Sequence, residues 1–142
     1  MSVPTLQYTV PGDDFTRAGE ASAAVKARLK KLGMPVDVVR KVAIAMYEGE
    51  INMVIHAGGG TATVELLPGE IRITLEDHGP GISDVALAMS EGYSTAPENI
   101  RSLGFGAGMG LPNMKKYTDR LEIQTAPGRG TTVTMSVLCP GI

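Results

Sequence analysis

Tryptophan is absent from this 142-residue chain, and its other aromatic residues are four Tyr and two Phe. So few rings leave no platform on which single-stranded bases could stack. One cysteine, Cys139, excludes an internal disulfide, and its place in an apolar run near the end of the sequence marks it as a packing residue. No stretch approaches the ~20 apolar residues that cross a bilayer, and MSVPTLQYTVPGDD at the start lacks both the basic and the apolar region of a secretion signal. The chain is therefore expected in the cytoplasm, without membrane contact. A formal net charge of -2 and scattered Lys and Arg exclude the basic stripe that tracks a phosphate backbone, so no direct nucleic-acid partner is expected.

What is present suits one compact domain over residues 1–142, with 43% hydrophobic residues and eight Met as gap-fillers in its core. LQYTV alternates and stops at Pro11-Gly12, which reads as a strand and a turn. Phe15, Ala18, Ala21, Val25 and Leu29 recur at helical spacing, from a cap at Asp13 or Asp14 to a stop at Gly33. Pro35 and Asp37 open a second helix whose apolar residues cover most of its circumference, so it should be largely buried. TATVELL and EIRITLED, joined by Pro68-Gly69, read as a hairpin, and so do LEIQTA and TTVTMSVL around Pro127-Gly128-Arg129-Gly130. Short helices are expected at DVALAMSEG, capped by Ser83, and at LPNMKKYTD. Hairpins with helices on one face make an α+β two-layer sandwich.

The second helix carries Glu48, Asn52 and His56 four residues apart, about 6 Å per step along one side. An unpaired carboxylate is costly to bury, so Glu48 is expected to face a wet cavity, ionised and able to take a proton from a hydroxyl or water. Asn52 offers a neutral oxygen, which suits Mg²⁺. Taken alone, an ordinary solvated face would also explain the pair. His56 lies about 12 Å along the axis from Glu48, too far to share one reacting atom, and reads as a structural group. Gly49, at a cost of up to ~1 kcal/mol in a helix, suggests close packing at that point.

Asp77 ends a strand before Gly79-Pro80-Gly81, where a carboxylate can accept from the exocyclic amine of adenine and Gly79 can let the base approach; a plain turn has the same composition. From Tyr93 onward the sequence is rich in Gly, Ser, Pro and Asn, a composition for a functional loop. Gly104, Gly106, Gly108 and Gly110 then alternate. Such spacing frees backbone N–H groups to curl around anions, ahead of a helix starting near Leu111-Pro112. Neither the G-K-[ST] of a Walker A loop nor the G-x-G-x-x-G spacing is present. Lys115 and Lys116 read as surface charges.

In this order the three boxes resemble the N box and two glycine boxes of the GHKL ATPase superfamily of gyrase, heat-shock chaperones, histidine kinases and mismatch-repair ATPases. EDHGPGISD, EGYST and GFGAGMGLPNMKK are most similar to its anti-sigma factor and switch-kinase branch, and the resemblance runs over roughly 13 to 138. It implies the Bergerat fold, a two-layer α/β sandwich with a mixed, mostly antiparallel sheet. It also implies ATP with Mg²⁺, and a protein partner resembling an anti-sigma-factor antagonist or a sigma factor. Matched by position, Glu48 becomes the general base, Asn52 the Mg²⁺ ligand, and Asp77 the adenine-binding acid with Gly79 and Gly81 as its turn. Gly106, Gly108 and Gly110 become the phosphate loop, with Gly104, Met109 and Leu111 as further nucleotide-binding positions, 92–110 a lid, and Thr132 the late threonine that supports adenine. The function so implied is a serine/threonine kinase of the anti-sigma type, possible as a homodimer, with a non-enzymatic nucleotide switch or a weak ATPase as alternatives. Gly49 departs from the small Ala usual after the base, and TAPENIRSL is a long insert before the glycines.

Overall fold

The computed structural model describes residues 4–12, 17–79, 110–126 and 128–140. Its elements run β1 (Thr5–Pro11), α1 (Glu20–Lys31), α2 (Val36–Ala57), β2 (Gly59–Leu67), β3 (Glu70–Glu76), α3 (Gly110–Lys116), β4 (Arg120–Ala126) and β5 (Gly130–Leu138). The five strands form one sheet in the order β1-β2-β3-β5-β4. Both expected hairpins are present, with Leu67 opposite Glu70 and Ala126 opposite Gly130. The expected helix at DVALAMSEG and the lid at 92–109 lie outside the described residues.

All four described pairings are antiparallel, so the parallel component expected of a mixed sheet is not found among the described residues. The reason is topological. α1 and α2 together bring the chain back to the end of the sheet that it left, so β2 runs against β1. β3 and β4 do run in the same direction, but β5 is inserted between them and pairs with both.

Alternation assigns the two faces of the sheet. Ile71, Ile73 and Leu75 of β3 and Val133, Met135 and Val137 of β5 are buried and join one core with residues of all three helices. Thr61, Thr63, Thr74 and Thr134 occupy the opposite, half-exposed face. Four of the eight Met are fully or almost fully buried in that core, and Cys139 is buried beside it, consistent with packing roles.

α1 begins later than its apolar period suggests. Gly19 has a left-handed φ of 98° and ends any continuous helix from residues 13 or 14. The helix N-terminus is instead capped from a distance: Glu50, buried in the middle of α2, accepts hydrogen bonds from the N–H groups of Gly19 (2.9 Å), Ala21 (3.1 Å) and Ser22 (2.9 Å). A buried carboxylate is tolerable where several N–H donors and a helix's positive end meet it. Glu50→Ala, which leaves those donors without their acceptor, should destabilise the chain by about 3 kcal/mol in denaturant unfolding, and Glu50→Gln by less because one oxygen remains.

Candidate functional site

Glu48 and Asn52 lie one turn apart on α2, both half-buried. Glu48 Oε1 accepts a hydrogen bond from Asn113 Nδ2 of α3 at 3.2 Å. Burial pushes the Glu48 carboxyl above the ordinary glutamate value, and the Asn113 amide partly offsets that push. Gly49 lets α2 lie close against β3, with α3 beside it. A Cβ there would run into Leu75 Cδ1 and stand 3.3 Å from Met114 Sδ, so an alanine would force the buried Leu75 to move. The close packing expected at Gly49 is therefore observed.

Asp77 follows the last residue of β3 and is held by main-chain groups. Its N–H donates to the Thr131 carbonyl at 2.9 Å, while its Oδ1 accepts from the N–H of Thr131 and of Gly79, each at 3.0 Å. Oδ1 is thus occupied, and Oδ2 is the oxygen left for a further donor among the described residues. Glycine at position 79 has a packing role. A Cβ there would stand 2.6 Å from both Cα and Cβ of Ala57, so the missing side chain admits the end of α2.

Thr132 is the threonine that the family resemblance matches to adenine support. In the ladder it opposes Glu76, on the open face of the sheet. Thr131, with Val133, Met135 and Val137, belongs to the buried face; its Oγ1 lies 2.9 Å from Thr125 Oγ1 and its N–H holds Asp77. In a Gly-Thr-Thr run the two threonines differ by one residue, and one residue in a strand exchanges the faces.

A hollow of about 330 Å³ opens where β3 ends and β4 turns into β5, lined in part by Asp77, His78, Thr125, Arg129, Thr131 and Thr132. Glu48 and Asn52 do not line it. Of the remaining expected residues, Gly110 opens α3, and Leu111 is buried in the core. Gly81, Gly104, Gly106, Gly108 and Met109 lie outside the described residues, as does the side chain of His56. His78 and both Lys115 and Lys116 are exposed. Among the described residues, no three His, Cys, Asp or Glu side chains form a metal-holding group, and no helix is long and apolar enough to cross a membrane.

A family model of histidine kinase-, DNA gyrase B- and HSP90-like ATPases matches residues 37–140. The chain belongs to this family. Within it, the chain is 33% identical over 121 residues to an anti-sigma F factor of Caldanaerobacter subterraneus subsp. tengcongensis, covering 82% of this chain and 81% of that protein. It is 30% identical over 108 residues to the serine/threonine-protein kinase RsbT of Bacillus subtilis, covering 73% and 75%. The fold is shared at lower identity with the RsbU and RsbW domains of a Mycobacterium tuberculosis protein (TM-score 0.63, 18% identity, 96% of this chain and 32% of that one). It is also shared with the mycobacterial sensor histidine kinase MprB (TM-score 0.56, 16% identity, 99% and 100%). Membership of this ATPase family implies that the chain binds ATP.

Three residues with contacts at the site were not anticipated: Asn113, Thr131 and, behind them, Glu50. Thr131 yields a direct test. Thr131→Val should weaken adenine-nucleotide affinity roughly tenfold by calorimetry, about 1.4 kcal/mol, while Thr132→Val should leave it within about twofold.

Proposed function

We propose that the chain is a serine/threonine protein kinase of the anti-sigma type, which moves the γ-phosphoryl group of ATP onto a hydroxyl of a protein partner. The observation that carries this reading is Glu48: a half-buried carboxylate, on the same side of α2 as Asn52, held by an amide from the helix that begins at Gly110. Anti-sigma F factors and RsbT among its relatives support the same reading.

The residues present fit the nucleotide and its ion. Asp77, with Oδ1 taken by two N–H donors, retains Oδ2 to accept from the amine of adenine, and Thr131 supports it from β5. Asn52 supplies the neutral oxygen for Mg²⁺, an ion that keeps several waters and binds phosphates, so a dedicated protein cage is not required. When bound, the ion neutralises charge on the phosphates. Glu48 accepts the proton of a seryl or threonyl hydroxyl as that oxygen bonds to the γ-phosphorus and the bond to the ADP leaving group breaks. Its raised pKa keeps the base closer to working pH than an ordinary glutamate. The glycines at 104, 106, 108 and 110, with Met109 and Leu111, complete the proposal as a phosphate loop, 92–110 as a lid, and Gly81 as part of the turn after Asp77. A single ATP-binding domain over 1–142, acting in the cytoplasm on an anti-sigma-factor antagonist or a sigma factor and able to pair with a second copy, belongs to the same proposal.

Labelled ATP with a candidate partner tests it. Glu48→Ala should keep nucleotide affinity and lose label transfer by about 100-fold or more, whereas Asp77→Asn should lose binding. Normal transfer by Glu48→Ala contradicts the base assignment. Nucleotide-dependent binding of the partner with no transfer by the unmodified chain replaces the kinase with a binding switch, and steady phosphate release without any partner replaces it with an ATPase.

A further inference from the structure

Glu48 and Asn113 lie 65 residues apart in sequence, yet the 3.2 Å bond between them is the one described polar contact of the Glu48 side chain. Two packing contacts hold Asn113 in place. Leu111 and Met114, which flank it in α3, are both buried, and Met114 rests against Gly49, the residue after the base. A larger residue at 49 would run into Leu75 and crowd the Met114 sulfur beside Asn113.

We infer that Asn113 is a positioning residue for Glu48, fixing the carboxylate through Oε1 so that Oε2 is left to receive the substrate proton. The inference rests on the kinase reading of Glu48, but the contact itself can be tested without it. An amide donor stabilises the ionised carboxylate, and burial opposes ionisation. No charge among the described residues competes with these two effects. Glu50 is turned toward α1 and held by its N–H groups, Asp77 is held by Gly79 and Thr131, Glu76 is exposed on the far face of β3, and Lys115 and Lys116 are exposed on α3. Removing the amide must therefore raise the Glu48 titration. Replacing it by a second carboxylate must raise it further, because two acids at that separation share a proton.

The test is a ¹³C NMR titration of the Glu48 carboxyl in the unmodified chain, Asn113→Ala and Asn113→Asp, with the acid limb of phosphotransfer kcat measured in parallel. The midpoint should rise in Asn113→Ala by about half a pH unit and in Asn113→Asp by more than one, with the kcat limb following. At neutral pH, Asn113→Ala should lower kcat by about tenfold and leave the KM for ATP within about twofold, a split that general loosening of α3 would not produce. A Glu48 midpoint that stays put or falls in Asn113→Ala overturns the inference, and so does a kcat limb that ignores a shifted midpoint. Shifted midpoints in a chain that transfers no phosphate support the contact and overturn the kinase reading instead.

Discussion

The rotational setting of α2 is the constraint on which the rest of the molecule depends. Three consecutive residues, about 100° apart around the helix, meet three different neighbours. Glu48 meets Asn113 of α3, Gly49 lies against Leu75 of the sheet and Met114 of α3, and Glu50 enters the N-terminus of α1. Turning α2 by one residue would place a carboxylate against Leu75 and strip three N–H groups of their acceptor. Each of the three contacts therefore enforces the same angle, and that angle presents Glu48 and Asn52 together on one side of the helix.

From this setting comes the chemistry proposed for one end of the site. Glu48 is buried enough to hold its proton more tightly than an ordinary glutamate, but it is not sealed in hydrocarbon, and an amide keeps part of its charge stabilised. The other end is built by different means. Asp77 is immobilised by backbone groups from its own turn and from the start of β5, which come together because β5 is inserted beside β3 in the sheet. Gly79 then packs against the end of α2, joining the two ends of the site through Ala57. A charged group held by fixed dipoles needs little reorganisation when a ligand arrives, which suits both binding and proton transfer.

Much of this was legible in the chain, for physical reasons that differ from element to element. Both hairpins, the long buried helix and the stop at Gly33 follow from alternation, 3.6-residue spacing and glycine, and the boxes around Glu48, Asp77 and Gly104–Gly110 carry the resemblance to the ATPase family. Other features depended on contacts across the fold. The start of α1 is set by Glu50, thirty residues away, so local caps pointed to Asp13 or Asp14. Asn113 acquires its contact only when α3 packs on Gly49, and nothing local in LPNMKK reveals it. Thr131 was within reach: its parity with Val133, Met135 and Val137 already places it on the buried face, and Thr132 on the other. Glu50 likewise shares a helical stripe with Met46, Met53 and Val54, the mark of an acid that must find donors inside.

The central claim is that Glu48 and Asn52, set by the angle of α2, and Asp77, held beside β5, serve one bound nucleotide. A crystal structure with Mg²⁺ and a non-hydrolysable ATP analogue tests it most directly. The account predicts a single nucleotide with its adenine amine on Asp77, its metal within reach of the Asn52 oxygen and its terminal phosphate on the Glu48 side of α2. A nucleotide that touches Asp77 while Glu48 and Asn52 face elsewhere would contradict it.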